Sequence, residues 1–101
     1  MWISTFRRGR RSGSFEDVQS YAVEVYSPEG GNAEFHAAAA RLRRAAEALS
    51  REGTPIAYRR SLFLPSDETS FHVLDGISRE AVTEAAHRAA LDAARIVEAA
   101  Q

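Results

Sequence analysis

The chain has no cysteine and no lysine in its 101 residues, and only three prolines, six glycines and one methionine. Without cysteine there is no disulfide framework, no thiolate metal site and no cysteine nucleophile. The 13 basic residues are therefore all arginine, set against 14 acidic ones. Together with the abundant alanine, this reads as the codon bias of a GC-rich bacterial genome. No apolar run approaches the roughly 20 residues that span a bilayer. The N-terminus lacks the apolar core of a secretory signal, on the order of 7–15 residues. A cytoplasmic protein with no membrane partner is the simplest expectation.

The charge that is present is unevenly spread. Arg7, Arg8, Arg10 and Arg11 stand in the first 15 residues with no acid beside them. The other nine arginines meet all 14 acids in residues 16–101, a net charge of −5. A mildly acidic body argues against a nucleic-acid partner. Residues 1–19 read as a flexible basic leader. Residues 20–101 read as one domain, with a core small enough that a partner surface would help it.

Within that domain, Ser20–Tyr26 alternates with a period of two and reads as a strand. Ser27-Pro-Glu-Gly-Gly31 is a turn, and Asn32 suits a helix N-cap, with Glu34 in the first turn. Phe35, Ala39, Leu42, Ala46 and Leu49 recur at helical spacing. Gly53 ends that helix and Pro55 prevents its resumption. Ile56–Leu64 and Thr69–Asp75 read as two strands broken at Pro65-Ser-Asp-Glu68. Ser78 caps a second helix that turns Val82, Ala85, Ala86 and Ala89 inward; with so little bulk it must lie close to what it packs on. Arg95–Ala99 is a short last strand.

The order is strand, helix, strand, strand, helix, strand. It predicts an α+β ferredoxin-like βαββαβ domain: a four-stranded antiparallel sheet with two helices on one face. Alternation then assigns Tyr21, Val23, Val25, Phe71, Val73 and Ile96 to the helix-covered face. The open face receives Glu24, Tyr26, Ser70, His72 and Leu74, with some of Arg59, Ser61 and Phe63. Such a mixture of aromatic, aliphatic and polar groups suits a dimer or ligand surface.

On these premises His72 and Glu24 share the open face on neighbouring strands. A histidine beside a carboxylate can orient a ring for proton transfer or help to hold a metal. The plainer reading is a hydrogen-bonded, chemically idle histidine. His36 and His87 fall on solvated helix sides, and no two histidines have metal-ligand spacing. Of Arg59 and Arg60, alternation allows only one to reach the open face, where it would pair with Glu24 or bind an anion. The plainer reading there is a solvated charge. No serine has a triad-like spacing, and no glycine-rich phosphate loop follows a strand.

The ordered set Tyr21-Ala-Val-Glu-Val-Tyr26, Arg41-Leu42, Glu52-Gly-Thr-Pro-Ile-Ala-Tyr-Arg-Arg-Ser61, Pro65, Glu68-Thr-Ser-Phe71, Ser78-Arg-Glu-Ala-Val82 and Ala94-Arg-Ile-Val-Glu98 resembles the domain of unknown function 4242 family. That family is also described as nickel-responsive or nickel-binding-protein-like. The resemblance spans about residues 20–100. It implies a ferredoxin-like domain that pairs as a dimer, and it raises nickel as the one cofactor to consider. The apolar share of the open face and the small core predict a homodimer built on that face or on the sheet edges, of the dimeric α+β barrel type. The histidine-rich segment of the nickel-binding branch is absent, since this chain has Tyr26-Ser-Pro-Glu-Gly30, so nickel is carried over to no residue. The Gly and Pro expected before the last strand are replaced by Ala89-Ala-Leu-Asp-Ala93.

The leading expectation is a homodimeric binding protein that holds a small molecule, or a divalent metal such as nickel, at the open face. His72, Glu24, Tyr26 and Arg59 are the candidate ligand-binding residues, and His72 is the one metal candidate. The competing expectation is a small cofactor-independent enzyme with His72 as acid or base. A purely structural interaction module is the third.

Overall fold

A computed structural model describes residues 18–91 and 94–99. Its elements are β1 (Gln19–Tyr26), α1 (Gly31–Arg51), β2 (Ile56–Leu64), β3 (Thr69–Gly76), α2 (Arg79–Arg88) and β4 (Arg95–Glu98), with a 3-10 turn at Pro65–Asp67 between β2 and β3. The four strands lie in the order β2-β3-β1-β4, and every pair is antiparallel. This is the expected ferredoxin-like arrangement. The leader expected over residues 1–19 falls outside the described residues up to position 17, and Gln19 already belongs to β1.

Local chemistry explains most boundaries. Ser78 caps α2, its hydroxyl accepting from the Ala81 N–H at 3.1 Å. Gly53 closes α1 with φ +102°, a conformation side chains resist. The Thr54 N–H then reaches back to the Leu49 carbonyl at 3.0 Å, satisfying a carbonyl of the last turn. The start of α1 differs from expectation. The helix begins at Gly31 behind Gly30, without a side-chain cap, so Asn32 sits inside it. Among the described residues, no helix is long and apolar enough to cross a membrane.

The core lies between the sheet and the two helices. Val23, Leu42, Leu74 and Val82 are wholly buried there, each worth roughly 1.5–3 kcal/mol of apolar burial. The helix α2 does lie close to the sheet. A Cβ on Gly76 would meet Val82 Cγ2 at 2.9 Å, so only glycine admits α2 this near to β3. Arg41 on α1 donates from Nε to the Ala89 carbonyl at 2.9 Å and ties the helices together at the end of α2.

Two assignments of strand face are corrected. In the register of β1 with β3, Tyr21 pairs with Leu74, Val23 with His72 and Val25 with Ser70. Ser70, His72 and Leu74 therefore share the covered face with Tyr21 and Val23, and all five are buried. Phe71 and Val73 lie on the open face, beside Glu24 and Ala22.

The strand β2 also departs from simple alternation. Tyr58 pairs with Leu74 and Arg60 with Val73, leaving Arg59 as the extra residue of a β-bulge. Alternation breaks there. Ile56 and Tyr58 before the bulge and Ser61 and Phe63 after it all belong to the covered face. Arg60 faces the open side with Val73. Arg59 reaches the same side, with Nε 3.5 Å from Asp75 Oδ2. Both arginines thus reach the open face, not one.

Candidate functional site

The bulge assembles the most developed polar cluster among the described residues. In an unbroken strand, residues three apart point to opposite faces. Because Arg59 is extra, Tyr58 and Ser61 point the same way, with their hydroxyl oxygens 2.5 Å apart. Ser61 Oγ lies 2.6 Å from His72 Nδ1. Ser70, two residues before His72 on the same face, places its Oγ 3.1 Å from Nε2. Tyr58, Ser61, His72 and Ser70 form one continuous chain of hydrogen bonds under α1.

Aromatic rings close the cluster from above. Phe35 in the first turns of α1 stacks on His72, with ring centroids 5.7 Å apart and planes 23° apart. It also stacks on Phe63 at 5.4 Å. At the other end, the Arg43 guanidinium lies over the Tyr58 ring, 4.9 Å from its centroid. Such a contact holds the ring while the arginine stays exposed.

Burial decides the charge of the histidine. Its ring has no exposed surface, and loss of water around the charged form pushes its pKa down to about 4. Among the described residues, no carboxylate hydrogen-bonds the ring. His72 is therefore neutral at pH 7, with one nitrogen donating and the other accepting. Two arrangements satisfy every group. Tyr58 donates to Ser61, Ser61 to Nδ1, and Nε2–H to Ser70; or each bond runs in reverse.

No family model, no curated protein and no solved structure matches the chain.

The geometry of the site separates the four expected ligand-binding residues. His72 is on the covered face, whereas Glu24 pairs with Phe71 on the open face. The expected His72–Glu24 partnership is absent because the two side chains leave the sheet in opposite directions. Tyr26 is on the open face as expected and 66% exposed, with its hydroxyl 3.5 Å from Glu68 Oε1. Tyr26 stands opposite Thr69 at one end of β3, while Arg59 binds Asp75 at the other. Six residues of strand, roughly 20 Å, lie between those ends. These residues do not converge on one ligand.

His72, the metal candidate, does not present a free nitrogen to the open face. Both ring nitrogens of His72 are engaged by serine hydroxyls. A metal bridging His72 and Glu24 from two subunits needs both on the face that meets the partner, and only Glu24 is there. Among the described residues, no three His, Asp or Glu side chains come together as a metal site. As an acid or base, His72 is poorly tuned, since a group titrating near pH 4 is a weak base at pH 7.

The neighbouring recesses are lined by other members of the cluster. A recess of about 310 Å³ between α1 and β2 is lined by Arg43, Glu47, Ser50, Ile56 and Tyr58, among others. A second of about 370 Å³, at the β1–α1 turn, includes Phe63, Asn32 and Glu68. His36 and His87 are exposed on the helices, as their positions predict.

Tyr58, Ser61, Ser70 and Phe35 escaped the sequence reading as site residues. The pairing of Ser70 with His72 has a signal in the sequence, because residues two apart in a strand share a face. Tyr58 and Ser61 required the bulge. Its one trace in the sequence is the Arg59-Arg60 pair, two charges in succession where a half-buried strand should alternate.

Proposed function

We propose that the protein is a non-enzymatic homodimeric binding module, assembled through the open face of its sheet. The observation that carries this reading is the apolar character of that face. Ala22, Phe71, Val73 and Val97 are half-buried on it, and Leu62 is 57% exposed beside Phe71. Both helices pack on the other side, so no described helix covers these groups. An exposed sheet face that carries several apolar groups among a few charges is a typical association surface. The family resemblance, with its implied dimer, points in the same direction.

On this reading a small ligand is held on the helix side, away from the dimer contact. The recess between α1 and β2 offers the Tyr58 ring, the Arg43 guanidinium and the Ser50 hydroxyl. The role of His72 is to anchor Tyr58 through Ser61. The enzymatic alternative, with His72 as acid or base, is disfavoured by its depressed pKa and its two occupied nitrogens.

Sedimentation equilibrium tests the assembly. The wild-type chain should be dimeric at about 10–100 μM, a range that captures weak to moderate dimers. Leu62→Asp should be a folded monomer there, because association would bury an unpaired charge. A wild-type monomer throughout that range, or an undiminished Leu62→Asp dimer, contradicts the reading.

A further inference from the structure

The register lays out the open face as a grid. One row across the sheet reads Leu62, Phe71, Glu24, Arg95, from β2 to β4. The next reads Arg60, Val73, Ala22, Val97. Glu24 thus stands within the apolar part of the face, half-buried on an inner strand. Among the described residues, Glu24, Arg60 and Arg95 enter no ion pair, whereas Arg59 is paired with Asp75. Burying Glu24 against a partner without a cation would be costly.

A two-fold contact restricts what can meet what. Two sheets packed face to face lie about 10 Å apart, related by an axis running between them. An axis along β1 sets Glu24 against its own copy, and one between β1 and β4 sets it over Arg95 of the partner subunit but leaves Leu62, Phe71 and Val73 uncovered. An axis perpendicular to the strands, between the two rows, sets Glu24 over Ala22 with no cation opposite. An axis along β3 sets Phe71 and Val73 against their own copies and β1 against β2 of the other chain. Glu24 then lies over Leu62, one row from Arg60, about 7 Å along the strand. Glutamate and arginine are both long enough to close that offset. Arg95 projects past the edge of the opposing sheet and stays in water.

We infer that the occupant of the open face is a second copy of this chain, docked about a two-fold axis along β3. In that contact Glu24 of each subunit pairs with Arg60 of the partner subunit. This rests on the dimer proposed above and specifies its geometry. The centre is apolar, and the two charge pairs flank it and fix which way round the copies meet.

Charge reversal tests this directly. Glu24→Arg and Arg60→Glu are prepared separately and measured by sedimentation equilibrium, alone and as an equal mixture. Alone, each variant brings like charges together at both contacts, and its dimer weakens by about tenfold or more. In the mixture both contacts join opposite charges, and a one-to-one heterodimer recovers to within about threefold of wild-type affinity. Recovery also shows that each variant folds. If a reversal fails to fold, Glu24→Gln and Arg60→Gln replace the pair, and their double variant should be no weaker than either single. Wild-type affinity in both singles, or a mixture no tighter than they are, overturns the pairing. If Leu62→Asp still dissociates the chain, the dimer itself survives that result. A monomeric wild type overturns both proposals.

Discussion

Ser61 Oγ lies 2.6 Å from His72 Nδ1 on the helix-covered face of the sheet, held there by an extra residue in the neighbouring strand. The contact gives a buried histidine a hydroxyl partner at each nitrogen, Ser70 supplying the second. A ring satisfied in this way is neutral and fixed in place. It therefore contributes to architecture, and it positions Tyr58 at the edge of the α1–β2 recess.

The order of losses along this chain of hydroxyls is predictable. Ser61→Ala leaves Nδ1 of a fully buried ring without a partner, which costs about 1–3 kcal/mol. Tyr58→Phe removes only the outer bond and leaves Ser61 on His72, costing roughly 0.5–1.5 kcal/mol. Urea unfolding of both variants provides the comparison. Equal stability of Ser61→Ala and wild type would show that the bond contributes nothing.

Stability should also carry the signature of His72. The unfolded ring titrates near 6.5 and the folded ring near 4. Between those values the unfolded chain binds a proton that the folded chain refuses. The contribution is therefore complete above pH 6.5 and is lost as pH falls toward 4. Its full size is about 3 kcal/mol. Unfolding free energies of wild type and His72→Gln between pH 7 and 4.5 should differ in slope, with the variant flatter. Parallel curves would mean that the ring is not held neutral.

The element order was legible because its punctuation is local. Ser78, Gly53 and the Pro65 turn mark boundaries by their own backbone chemistry. The faces were less legible. In Phe71-His-Val-Leu74, one alternation offers Phe71 and Val73, both apolar, and the other pairs Leu74 with a histidine that looks meant for water. Tertiary context decides otherwise. Ser61 and Ser70 satisfy the ring and Phe35 covers it, so His72 goes inside while Phe71 faces out. Neither serine partner is adjacent to it in sequence. The bulge at Arg59 then inverted the expected faces of Ser61 and Phe63.

Deletions in β2 test the role assigned to the bulge. Removing Arg59 turns the ladder regular and keeps Ser61, Phe63 and every later side chain on its present face. The exposed Arg59–Asp75 contact is lost. Removing Leu62 leaves the bulge in place but turns Phe63 away from Phe35. The Arg59 deletion should therefore remain folded with a Tm well above that of the Leu62 deletion. Thermal melts showing the reverse order would contradict the assigned register.

The most direct measurement of the central claim, that two copies meet through the open sheet face, is a methyl NMR dilution series on the wild-type chain. Methyl signals of Leu62, Val73, Ala22 and Val97 should shift together with concentration, while those of Leu42, Val82 and Ala85 in the helix-side core stay fixed. Concentration-independent spectra, or shifts centred on the helices, would contradict it.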